Sequence, residues 1–294
     1  MRVTFQTVND GIAAVNTAAE QFAKAQRQVE TGRRMENPSD DPAAAMRVIQ
    51  GTNEIATLDA YTRANDTASS RLTVLDTVLG TIVDRLSQAQ AAAAQGRGTT
   101  ADTPTREALA AKLAGIRDGL VSDFNATFRG TALFAGAEVQ ATAYARVAGV
   151  WTYQGDASEV TVDIGRNHGA TISLDGQSIA KGGDALDVFT AFDGMITAVV
   201  AADEAGMAAG MDALRRTFDR AVRAQSLVGV DMQGVDDEQR NLSSFKLANL
   251  QSVSKDRDAN LAAAITEMNQ ADTAYRAALQ AVGATAKVSL LDYL

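Results

Sequence analysis

Near each end of the chain apolar residues return every three or four positions, and neither stripe is wide enough to make a core of its own. The first runs through Phe5, Val8, Ile12, Val15, Ala19 and Phe22, and Val29 resumes the rhythm after Gln26 interrupts it. In the second, Leu261, Met268, Tyr275 and Val282 stand seven apart. Ala264, Ala271 and Ala278, also seven apart, lie between them, and Ile265 and Leu279 widen the stripe. A seven-residue apolar repeat marks a coiled-coil seam, and alanine along one side lets a second helix come close. A long helix with one apolar edge has to bury that edge against something. The simplest partner for each stripe is the other, so the two ends are expected to pair as a coiled coil. About 30 residues give a rod about 45 Å long. Phe5, Val8, Ile12, Val15 and Phe22, with Leu261, Met268, Tyr275, Val282, Leu290 and Leu291, form the candidate assembly interface. The extreme ends, around Gln6, Asn9 and Asp10 and from Ser289 to Leu294, carry a poorer seam. That suits a rod that is marginal alone and completed by neighbouring molecules.

The residues between the stripes predict a nested order. Gly32 suits a helix C-cap and Pro38 forbids continuation of the first helix. Asp41 then reads as an N-cap with Pro42 at the first helical position. It opens a helix from about 43 to 95 whose stripe includes Leu72, Leu75, Leu79, Ile82 and Leu86. Thr103-Pro104 repeats the start signal for a helix through Leu109, Leu113, Ile116, Leu120 and Phe124. From about 130 to 185 the period shortens to two. Val160, Val162 and Ile164 alternate with Thr161 and Asp163, Ile172 and Leu174 alternate with Thr171 and Ser173, and Asp175-Gly176 predicts a turn. Helical period returns at about Asp184. A last helix is expected from near Asp236, where Asp236, Asp237 and Glu238 suit a helix N-terminus. The expected fold is mainly α and elongated, with coiled-coil N- and C-terminal helices, an inner helical bundle and an inserted small β-rich domain. Its parts are a terminal helix over 1–35, an inner domain over 36–130, the β-rich insertion over 131–200, the rest of the inner domain over 201–254, and the pairing helix over 255–294.

Composition removes most chemistries. Among 294 residues there is no cysteine, which excludes disulfides, thiolate catalysis and cysteine-ligated metal. The single histidine, His168, lies in the turn-like Gly165-Arg166-Asn167-His168-Gly169, with no nucleophile or second ligand indicated. Asp40-Asp41 beside two prolines reads as capping rather than as a metal or acid–base pair. No glycine pattern cradles a phosphate. Catalytic, cofactor-binding and metal residues are therefore not assigned, and no cofactor is expected. The net charge is −9, and residues 131–205 hold ten acids against three bases. An acidic middle argues against nucleic acid and against anionic membranes. No stretch approaches the roughly 20 apolar residues of a membrane span, and Met1 to Gly11 lacks the apolar run of a cleavable signal.

The segment Thr31-Gly32-Arg33-Arg34-Met35-Glu36-Asn37-Pro38-Ser39-Asp40-Asp41-Pro42-Ala43-Ala44-Ala45 resembles the N-terminal signature of the flagellin-like axial proteins of the bacterial flagellum. Its Asn37, Pro38, Asp40, Asp41 and Pro42 are similar to the form found in hook–filament junction members of that family. Gly130-Thr131-Ala132-Leu133-Phe134-Ala135-Gly136, Tyr153-Gln154-Gly155-Asp156 and the ending Ser289 to Leu294 resemble other parts of the same proteins. The resemblance implies a structural subunit required for motility, not an enzyme. It implies export through the flagellar type III apparatus without a cleavable signal peptide, with a dedicated export chaperone. The partners it implies are the first hook-associated protein on the hook side, flagellin on the filament side, and further copies of the chain in a short ring. The acidic β domain would face outward. Two other readings remain: a flagellin-type filament subunit, and a secreted coiled-coil binding protein whose β domain takes a ligand.

Overall fold

A computed structural model describes residues 5–35, 37–96, 102–138 and 142–291, with side chains from residue 9 to residue 284 within those ranges. The elements run α1 (Phe5–Thr31), α2 (Pro42–Gly96), α3 (Thr103–Phe124), β1 (Thr127–Phe128), β2 (Thr131–Ala132), β3 (Tyr144–Val147), β4 (Val150–Tyr153), β5 (Thr161–Gly165), β6 (His168–Thr171), α4 (Gly176–Ala180), α5 (Val188–Ala201), α6 (Glu204–Arg257) and α7 (Leu261–Leu291). The fold is mainly α. Its described strands form three antiparallel pairs, β1–β2, β3–β4 and β5–β6. The chain divides into a terminal unit, Met1–Leu58 with Ser244–Leu294, and a central unit, Asp59–Ser243. Both boundaries fall inside continuous helices, α2 and α6, rather than at the expected 35/36 and 254/255.

Local chemistry accounts for most helix ends. Gly32 follows α1 in the left-handed region, at φ +66, where glycine alone escapes a steric penalty. Asp41 Oδ1 accepts the Ala44 N–H at 3.0 Å ahead of α2, satisfying a donor that the first turn leaves free. The cap of α3 is Asp102, not Thr103: its Oδ1 accepts the Thr105 N–H at 3.0 Å, with Pro104 in the first turn. No helix starts near Asp236, because α6 runs unbroken from Glu204 to Arg257. Asp236 and Asp237 are exposed on that helix, and Asp237 pairs with Arg240. Glu238 instead turns toward the β5–β6 hairpin, its Oε2 lying 3.4 Å from His168 Nδ1. The true break is at Asp258–Asn260. There the Ser254 hydroxyl donates to Asp258 Oδ2 at 2.7 Å, and Asn260 Oδ1 accepts the Ala262 and Ala263 N–H groups at 3.1 and 3.3 Å.

The central unit is built on α3, α5 and the central parts of α2 and α6. Leu72, Leu75, Leu79, Ile82 and Leu86 of α2 are buried with Leu113, Leu120 and Phe124 of α3, Phe189, Phe192 and Val199 of α5, and Leu214 of α6. Full burial of such side chains contributes about 1.5–3 kcal/mol each. Phe124 carries the core into the strand-bearing segment. Its ring meets Phe134, Tyr144 and Phe189 at 5.4, 5.7 and 5.7 Å between centroids. The turn-like Gly165–Gly169 closes the β5–β6 hairpin, at Arg166-Asn167, with Asn167 at φ +63. The expected Asp175-Gly176 turn, and the strand before it, are corrected. Ile172 and Leu174 lie beyond β6, and Asp175 caps α4 through the Gln177 and Ser178 N–H groups at 2.8 and 3.1 Å. An aspartate with two backbone donors in reach starts a helix in preference to closing a hairpin.

Candidate assembly interface

α1 and α7 pack antiparallel, the end of one beside the start of the other. Phe22 stacks on Tyr275 with ring planes 3° apart and centroids 6.3 Å apart, and Val282 sits over Gly11. The sides turned inward are Gly11, Val15, Ala18, Phe22, Ala25 and Val29 on α1, and Ala264, Met268, Ala271, Tyr275, Ala278 and Val282 on α7. Each helix therefore carries two heptads. One is of larger side chains, Val15, Phe22 and Val29 against Met268, Tyr275 and Val282. The other is of small residues, Gly11, Ala18 and Ala25 against Ala264, Ala271 and Ala278. The small heptads set a close approach: a Cβ at Gly11 would come 2.9 Å from Val282 Cγ2.

The two flanks of this pair differ. At 100° per residue, Ile12 falls at one edge of the α1 stripe, and Leu261, Ile265 and Leu279 at one edge of the α7 stripe. Antiparallel packing brings these edges to the same side. They stay in water: Ile12 is 47% exposed, Leu261 52%, Ile265 44% and Leu279 45%. The opposite side is a polar groove edged by Gln21, Lys24 and Gln28 of α1 and by Glu267 and Gln270 of α7.

Where α1 ends and α7 begins, the two helix breaks are clamped together. The Arg34 N–H donates to the Arg257 carbonyl at 2.8 Å and the Ala259 N–H to the Gly32 carbonyl at 2.9 Å. Arg47 holds Asp256 through two bonds of 2.9 and 2.8 Å, a bidentate geometry that only a guanidinium offers. Arg34 also donates to the Asp256 carbonyl at 2.9 Å. Asp40 Oδ2 accepts the Asn37 N–H at 3.0 Å, holding the turn through Pro38 that delivers Asp41 and Pro42 to the start of α2. The Ala44 N–H, and after it Arg34, keep the Asp41 carboxyl below its ordinary range. Arg47 does the same for Asp256, and the Ser254 hydroxyl with Arg257 for Asp258.

Of the residues assigned to the interface from the sequence, Val15, Phe22, Met268, Tyr275 and Val282 come together between α1 and α7. Ile12 and Leu261 lie outside that contact, exposed on its flank. Phe5, Val8, Leu290 and Leu291 are helical, but their side chains lie outside the described residues. The contact residues that sequence reasoning missed are Gly11, Ala18 and Ala25. Their signal was present as a seven-residue spacing of small residues, hidden because a search for apolar bulk passes over glycine and alanine. Arg47 and Asp256, 209 residues apart, had no local signal at all.

Residues 8–138 match the bacterial flagellin N-terminal helical region. The chain is similar to flagellar hook-associated protein 3 of Salmonella typhimurium, 29% identical over 167 residues, which is 56% of this chain and 52% of that protein. It is 25% identical to flagellar hook-associated protein 3 of Escherichia coli over 169 residues, 57% of this chain and 53% of that protein. The match thus spans about half the length of these curated relatives. The flagellar junction protein FlgL of Legionella pneumophila shares the fold, with a TM-score of 0.62 at 10% identity over 72% of this chain and 100% of that one.

Proposed function

Taking a flagellin-type N-terminal region at residues 8–138 as the premise, we propose that the chain is a structural subunit of the bacterial flagellum that joins hook to filament and assembles through its terminal helices. The observation that carries this reading is the uncovered flank of the α1–α7 pair. Among the described residues of the two helices only Ala25 and Ala264 are buried, while Ile12, Leu261, Ile265 and Leu279 remain in water. Such a pair has apolar surface left for neighbours to cover. Similarity to two proteins named hook-associated protein 3 favours the junction over the filament. The partners in this reading are further copies of the chain in a ring, the first hook-associated protein, flagellin, and an export chaperone before secretion. α1 and α7 make the contacts, and the acidic segment over 131–200 faces outward. The role is mechanical, with no catalytic residue assigned.

A flagellin-type filament subunit is the second reading, favoured by the flagellin region itself. Immunogold microscopy of isolated flagella separates the two. Label confined to the point where hook meets filament is the expected result. Label along the filament would make the chain a flagellin, and unlabelled flagella would reject both readings.

A further inference from the structure

The segment between α3 and α5 holds a cleft apart from the α1–α7 pair. It opens beside β4 and has a volume of about 180 Å³. Its wall is aromatic: Trp151 and Tyr153, two residues apart on one face of β4, are half-buried above a floor made by Tyr144. The tyrosine hydroxyls are turned inward. Tyr153 donates toward the Phe134 and Asp156 carbonyls at 3.0 Å each, and Tyr144 lies 3.4 Å from the Gly176 carbonyl. These two residues therefore offer the cleft rings rather than hydroxyl groups. The Arg146 guanidinium stands 5.8 Å over the Trp151 ring and donates to the Gly149 carbonyl at 3.0 Å, outside the residues that line the cleft.

The rim carries polar groups of both kinds. Gln177 and Lys181, one turn apart, face Asp187 across the opening. Among the described residues the Lys181 ammonium has no hydrogen bond or ion pair, with Asp187 or with any other group. Asp187 accepts the Thr190 N–H at 2.8 Å and the Thr190 hydroxyl at 3.2 Å, which leaves about half of the roughly four acceptor positions of a carboxylate. One ammonium and one carboxylate in so small an opening cancel, so the cleft selects neither an anion nor a cation. A neutral ring bearing hydroxyls meets every group present. Each hydroxyl both donates and accepts, which suits a rim holding a cation, an amide and a carboxylate, and the C–H face of the ring suits an aromatic wall. The volume lies below the range of about 300–1,000 Å³ of pockets for drug-sized ligands, which fits one ring and not a chain of them.

We propose that this cleft binds one neutral hexopyranose ring. The proposal does not depend on the junction reading. Trp151 is the only tryptophan in the chain, so the intrinsic tryptophan fluorescence of the full chain comes from a residue that lines this cleft. The titrants are the methyl glycosides of glucose, mannose, galactose and N-acetylglucosamine, with glucuronate and glucosamine as charged controls. The expected result is a saturable change with at least one neutral glycoside, at a dissociation constant of about millimolar for a ligand of this size, and none with the charged controls. Lys181→Met and Asp187→Asn, the second of which keeps the α5 cap, should each weaken that response about tenfold or more while the circular dichroism melting curve stays in place. Absence of saturation with every neutral glycoside would overturn the proposal. So would an unchanged response in both variants, or a response to the charged controls alone.

Discussion

Arg71 is buried to 7% exposure on α2, the one charged side chain among the buried residues described. It has no carboxylate partner among them. Its Nε donates to the Ile172 carbonyl at 2.6 Å and its Nη2 to the Ala132 carbonyl at 2.9 Å, so one side chain holds two stretches of the strand-bearing segment by their backbone. Burial pulls its pKa down. Replacing Arg71 with Met relieves the buried charge but leaves two buried carbonyls unpaired, and the balance is expected to destabilise the central unit by about 2–4 kcal/mol. Thermal unfolding followed by Trp151 fluorescence measures it. Asp41 and Asp256 work in the pH dimension. Their carboxyls are held below the ordinary value by the Ala44 N–H and by Arg47. A depressed folded-state pKa contributes stability that is present above the unfolded value and lost as pH falls through the folded one. As pH falls below about 4, amide exchange at Arg34 and Ala259, corrected for its intrinsic pH dependence, should therefore accelerate before that of the central core. Exchange that stays flat would remove these carboxylates from the clamp.

At the scale of elements, the α1–α7 pair separates two kinds of apolar residue. Met268 faces the partner helix, and an aspartate there places a charge in the contact, at a cost of about 2 kcal/mol or more. Met268→Asp is expected to leave cells secreting flagellin without forming filaments, and normal motility in that variant would count against the seam. Ile12 and Leu279 lie on the exposed flank. Changing both to Gln should leave the melting of the isolated chain within about 0.5 kcal/mol yet abolish filament formation; filaments of normal number would take the flank out of the interface. The larger heptads were readable from the sequence because Val15, Phe22, Met268, Tyr275 and Val282 are bulky and periodic. Gly11, Ala18 and Ala25 were not, because what they provide is space, and space acquires meaning only when Val282 is seen to enter it.

At the scale of the whole molecule, the first and last segments of the chain meet in one unit and the middle forms the other. The central unit has the continuous core, whereas among the described residues of α1 and α7 only two alanines are buried. Unfolding is therefore expected to depart from two-state behaviour. Helical circular dichroism should begin to fall while the fluorescence of Trp151, in the central unit, still reports the native state. Coincident curves would show that the units melt together. The nested order was legible in the stripes and the capping motifs. The unit boundaries were not. Gly51 lies against Val253 so closely that a Cβ there would come 2.5 Å from its Cγ2, and Arg47 grips Asp256. The early turns of α2 and the last turns of α6 thus belong with the terminal helices, although no break in either helix marks the division.

What the sequence by itself determined is local or periodic: the heptads that make α1 and α7 helices with an edge to bury, the glycine after α1, and the Asp41-Pro42 start of α2. Each rests on residues within a turn or two of one another, where backbone hydrogen bonding and helical period act. Only the tertiary structure decided which edge of α1 meets α7, that acids at 236–238 ride inside a continuous helix, and that Arg71 and Arg47 hold segments 101 and 209 residues away. Those choices depend on shape and distance between remote parts of the chain, for which a linear pattern carries no term.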